Sequence, residues 1–281
     1  MIGSFWGWDL KNRLSLLRKP LMGFAIIWIF MLHSGKTGNS VWDARRFYGW
    51  SGVDIFFFLS AIGLCYSLSK DNSTLAFYKR RAKRILPTWF FVLLEVHLVG
   101  LICNHYLPKL PFYIPDTLLK CFTWYTGVGF WISDFTTGKG WFYEWYVPSL
   151  LAYYIVTPYL NKKRSLSLSL LIVLFLIIGY LFGKYDILPN IHFFYYRIPI
   201  FILGLLFYRL MIDQNCRTFN ISIVVSFFIG LVVIFVNSFF SLAIPKEFFP
   251  LFLCPPCMIM LTYLIEFKYI KNFFSFFGGI S

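Results

Sequence analysis

Long apolar runs, separated by short basic or turn-rich segments, set the pattern of this chain. Windows long enough to cross about 30 Å of hydrocarbon fall near 20–36, 52–69, 86–106, 141–160, 166–184, 193–212, 219–240 and 249–266. They predict an all-α, polytopic transmembrane helical bundle of eight to nine spans. A weaker run, Leu118 to Ile132, holds Thr123, Thr126, Gly127 and Gly129, and reads as re-entrant or interfacial. Phe273 to Ile280 begins another apolar segment and stops after about two turns, so the sequence reads as ending before a final helix. With no fixed-period repeat and no soluble segment, residues 1–281 are expected to form one membrane domain.

The first run ends in a titratable residue. Pro20 suits a first helical position, because the N–H it lacks would have no partner there. His33 then lies roughly 20 Å along the helix axis, inside the slab and toward its far side. An ionisable group at that depth normally faces a bundle interior or a wet cavity, although a histidine that merely ends a short helix fits the same position. Asp54 opens the second window, running back, at a similar expected depth. It can orient His33, or it can simply complete the Ser51-x-x-Asp54 capping pattern. Ser60 follows about 9 Å deeper, where a lone hydroxyl usually bonds backbone.

Composition strengthens the membrane reading: 59% of the 281 residues are hydrophobic and 22% aromatic, with mean hydropathy +0.69. A formal charge of +14 would suggest nucleic acid in a soluble chain. Here the cations cluster between apolar runs, where the positive-inside rule and anionic lipid account for them. Their distribution predicts a cytoplasmic N-terminus and no nucleic-acid partner. Six cysteines lie mostly in apolar runs, and only Cys254 and Cys257 are closely spaced, around Pro255 and Pro256. No second ligand pair lies near, so no metal site is expected.

Several polar groups can carry chemistry. In Tyr78-Lys79-Arg80-Arg81-Ala82-Lys83-Arg84, a helix puts Arg80 and Arg81 on one face with Arg84. Guanidinium forks grip phosphate oxygens two at a time, although an inside anchor explains the cations equally well. Glu144 and Arg197 have similar expected depths and opposite charge, and so can pair. Trp42, Trp50, Trp141, Tyr143, Trp145 and Tyr146 crowd the outer side, as an interfacial belt or as a platform for a sugar ring.

Taken in order, Leu21-Met22-Gly23-Phe24-Ala25-Ile26 leading to His33, the stretch Gly52 to Ser60, Tyr78 to Pro87, Trp145-Tyr146-Val147-Pro148 with Tyr154 and Pro158, and Arg197 to Gly204 resemble the acyltransferase-three family. These are bacterial membrane enzymes that O-acylate surface polysaccharides and related acceptors. The chain departs from the pattern at Met22, where many members carry arginine and where Arg18 or Lys19 is the available substitute, and at Ala61, where many have glycine.

The resemblance implies an acyl-CoA donor, usually acetyl-CoA, as co-substrate with no bound cofactor, and a carbohydrate hydroxyl as acceptor at the plasma membrane. Arg80, Arg81 and Arg84 would take the CoA phosphates. His33 would act as base or transient acyl carrier, helped by Asp54 and Ser60, with Glu144, Trp145 and Arg197 supporting the acceptor or the fold. A saccharide or lipid-carrier transporter is the competing reading, since buried charges also line transport paths.

Overall fold

A computed structural model describes residues 3–35, 38, 42–43, 48–71, 73–107, 114–136, 145–212, 216–240, 245 and 248–279. Among these the regular structure is helical throughout: α1 Gly3–His33, α2 Ser51–Lys70, α3 Thr74–Tyr106, α4 Leu118–Thr126, α5 Val128–Thr136, α6 Tyr146–Leu160, α7 Ser165–Lys184, α8 Ile198–Ile212, α9 Cys216–Phe240, α10 Phe249–Ile265 and α11 Lys268–Gly278. Each of the eight apolar windows falls on a helix. Among the described residues, five helical stretches are long and apolar enough to cross a membrane, and two shorter apolar ones, Ile223–Asn237 and Phe249–Ile265, accompany them.

Two helices begin earlier than the hydropathy pattern indicates. α1 starts at Gly3, so Pro20 stands in its interior rather than at its first position. α3 starts at Thr74 and carries the basic cluster and Pro87 within one continuous helix of 33 residues. Hydropathy registers only the part of a helix that needs lipid, whereas the backbone ladder continues until its end groups find other partners. For α3 those partners are local. Asp71 Oδ1 accepts the Ser73 N–H at 2.9 Å, and Ser73 Oγ accepts the Ala76 N–H at 3.3 Å, an N-cap that fixes where the basic face points.

The weak run became two helices of nine residues each. At about 14 Å apiece neither crosses a bilayer. They meet at Gly127, whose φ of +71° is left-handed backbone that glycine adopts without a side-chain clash.

Burial identifies α2 as the hub, with 72% of its span buried against 17% for the spans of α3 and of α7. Phe57, Phe58, Ala61 and Leu64 are almost fully enclosed. In lipid, helix association depends on close packing rather than on expulsion of water. α8 meets α2 at Gly204, where a Cβ would lie 2.6 Å from the Phe58 carbonyl oxygen. α1 packs on α2 with Gly52 beside Ala25 and Ile29, and Gly63 beside Arg18, so the two run antiparallel. That register puts Asp54 near the level of Ala25, and His33 about eight residues, or roughly 12 Å, further along.

Candidate active site

A cavity of about 510 Å³ opens between α1, α2, α3 and α6. Arg18, Arg81 and Arg84 line one end beside Tyr154, Ser60 lines its middle, and Phe56, Trp89 and Tyr146 line the far part. Side-chain bonds hold the walls together. The Tyr78 hydroxyl donates to the Ile155 carbonyl at 2.8 Å, tying α3 to α6. Trp89 Nε1 donates to the Tyr125 carbonyl at 3.1 Å, anchoring α3 on α4.

The arginine end is electrostatically incomplete. Arg18, Arg81 and Arg84 lie close enough to act on one another and on Tyr154. Among the described residues none of the three has an acidic partner, and the Nε atoms of Arg18 and Arg81 are buried without a hydrogen bond. Arg81 rests its guanidinium over the ring of the fully buried Phe77, 5.5 Å from its centroid. Arg84 is exposed while Arg18 and Arg81 are half-buried, and like charges gathered in such a partly sheltered place repel more strongly than in bulk solvent. The arrangement can accept an anion with several oxygens, such as a phosphate or pyrophosphate.

Arg80 does not line this cavity. It donates to Asp71 Oδ2 at 2.6 Å in an exposed ion pair, and that bond holds the Asp71 carboxyl below the usual carboxylate range. The helical face expected to hold three arginines therefore delivers two of them, because Asp71 lies within reach of Arg80. The third cavity arginine comes from α1 as Arg18, which stands one turn before Met22 on the same lining.

Asp54 is not paired with His33. Its carboxylate lies 3.3 Å from Arg197 Nε, with the two side chains 0% and 2% exposed. Arg197 also donates to the Phe193 carbonyl at 3.2 Å. The guanidinium lies over Trp145 at 4.8 Å and Phe193 at 5.7 Å, two rings stacked on each other. Trp145 thus sits beneath a buried cation rather than on an open surface. Glu144, the expected partner of Arg197, lies outside the described residues, as do Trp141 and Tyr143.

Arg197 and Asp54 enter together because α8 runs parallel to α2, each residue lying at the start of its helix. Their opposite charges at similar depths were the signal available in the sequence. His33 is the last residue of α1, exposed, and is not among the residues that line the cavity. The described residues thus bring Ser60, Arg81 and Arg84 together with Arg18, and separately Asp54 with Arg197 and Trp145, but leave His33 apart from both groups.

A family model described as an acyltransferase domain matches residues 21–281. No curated protein and no solved structure matches the chain.

Proposed function

The chain belongs to the acyltransferase-3 domain family of membrane proteins, and on that premise we propose that it moves an acyl group, acetyl foremost, from cytoplasmic acyl-CoA to a hydroxyl of a surface glycan or its precursor. The observation that carries this reading is the cluster of Arg18, Arg81 and Arg84 at one end of a 510 Å³ cavity, without a protein anion among the described residues. The phosphates of CoA supply the missing charge, and the thioester arm then runs past Ser60 toward the aromatic end. With the N-terminus cytoplasmic, the arginine end opens to the compartment that holds acyl-CoA, in the plasma membrane.

In the reaction, the acceptor oxygen attacks the thioester carbonyl carbon. A C–O bond forms, the C–S bond breaks, and CoA leaves as thiolate to be protonated. His33, roughly 22 Å along α1 from Arg18, marks the acceptor side, where neutral imidazole takes the proton from the acceptor hydroxyl. Ser60, roughly 20 Å from His33 along the bundle, is a hydroxyl that the thioester arm passes and bonds on its way through the cavity, not a donor to the oxyanion formed beside His33. Asp54, held by Arg197, acts by fixing α2 against α8 rather than by orienting the imidazole.

The test is His33→Ala in purified full-length protein. Acyl transfer to the glycan acceptor is expected to disappear, while CoA binding stays within about twofold. Turnover at the wild-type rate would remove His33 from the mechanism.

A further inference from the structure

We infer that Gly63 is a positioning residue for Arg18, the notch in α2 that lets this guanidinium stand at the anion end of the cavity; the inference rests on the donor-site reading above. A Cβ built on Gly63 would lie 2.6 Å from Cζ and Nη2 of Arg18 and 2.8 Å from Nη1. Three such similar distances mean that the guanidinium lies with its face over the glycine. Ordinary contact begins near 3.4 Å, so any side chain at position 63 must push the group aside.

What would hold the guanidinium against that push is little. Its Nε has no hydrogen-bond partner, and among the described residues Arg18 donates no hydrogen bond and forms no ion pair. Arg81 and Arg84 repel it. Space, rather than a bond, therefore sets its position, and Gly63 supplies the space.

There is also somewhere for it to go. Arg18 lines both the 510 Å³ cavity and a second one of about 310 Å³ on the other side, bounded by Gly63, Tyr66, Ser67, Lys70 and Tyr208. Arg18 is the residue common to the two linings. Because the atoms in the way are the end of a flexible side chain and not backbone, Gly63→Ala is expected to fold normally while shifting the cation. A shift of roughly 1 Å in a positioned group can cost as much as two orders of magnitude in function.

The experiment measures equilibrium binding of CoA and of inorganic pyrophosphate to purified full-length wild type, Gly63→Ala, Arg18→Ala, the Gly63→Ala/Arg18→Ala double variant and Gly63→Ala/Arg18→Lys, with melting temperatures alongside. Gly63→Ala is expected to weaken CoA binding about tenfold, the scale of one charge-assisted hydrogen bond, at an unchanged melting temperature. The double variant should bind no more weakly than Arg18→Ala alone. Lysine at position 18, slimmer than the planar fork, should recover part of the loss.

Wild-type affinity in Gly63→Ala, or losses that add in the double variant, would overturn the inference. So would a lower melting temperature accompanied by no recovery with lysine. Wild type that binds pyrophosphate but not CoA would refute the acyl-CoA reading and leave the Gly63 comparison to be read with pyrophosphate. Wild type that binds neither would sink both.

Discussion

Arg197 and Arg18 are cations inside the same bundle, and the protein treats them in opposite ways. Arg197 has a carboxylate at 3.3 Å, a backbone carbonyl at 3.2 Å and two aromatic faces. Arg18 has two further arginines for neighbours and, among the described residues, neither a carboxylate nor a carbonyl bonded to it. A buried charge that must stay put is surrounded by compensation, because leaving it uncompensated costs several kcal/mol. A charge left uncompensated inside a cavity marks where something else is to bind. Arg80, exposed and paired with Asp71, is a third case, in which water does most of the work and the partner matters little.

The contrast can be broken by substitution at each of the three sites. The largest effect is expected at the paired site. Arg197→Ala removes the cation 3.3 Å from the fully buried Asp54 and should destabilise the protein by about 3–5 kcal/mol, read as denaturant or thermal unfolding in detergent. Replacing both partners with apolar residues of similar size should recover most of that loss. If Arg197→Ala unfolds like wild type, the pair is not holding α2 to α8.

At the unpaired site the order of effects reverses. Arg81→Gln should weaken CoA binding roughly tenfold to hundredfold while the melting temperature stays level or rises, since one repelling charge has gone. The loss should shrink as ionic strength increases and the Debye length falls below about 10 Å. A clear drop in stability without a change in CoA affinity would make Arg81 a structural residue like Arg197.

The smallest effect belongs to the exposed pair. The Asp71 carboxyl is held low by Arg80, so its contribution to stability is present above the ordinary aspartate range, near pH 4, and is lost as pH falls through its lowered value. Asp71→Asn should therefore flatten the acid limb of the stability profile slightly and leave the neutral region unchanged. Loss of CoA affinity in this variant would show that Asp71 and Arg80 belong to the cavity after all.

How much of this was legible in the sequence depends on the kind of information required. The apolar windows located the helices, because lipid imposes length and composition on any span. The helix starts at Gly3 and Thr74 escaped, since hydropathy does not register the polar turns that continue a helix, although the Ser73 cap was there to be read. Depth along a helix was legible too, and it placed Asp54 and Arg197 among the buried charges. Partners were not, because depth fixes how far in a residue lies and says nothing of which helix faces it. Asp54 pairs with Arg197 rather than His33 since α8 packs on α2 through Gly204, a contact between segments far apart in sequence. Arg18 stood out only as a neighbour of Met22, and the vacancy at Gly63 that receives it has no signature in a single chain.

The Asp54–Arg197 pair also constrains the order of events during synthesis. α2 leaves the ribosome long before α8, and α3 to α7 follow before Arg197 is made. Throughout that interval α2 carries an acidic residue that has yet to meet Arg197, a burden on membrane insertion of about 2.5–3.5 kcal/mol for a charge at the centre of a helix and less toward the ends, where Asp54 lies in the first turn. The hub of the finished bundle therefore enters the bilayer on the strength of its apolar run, and its alignment against α8 is settled from behind, by a helix that arrives late.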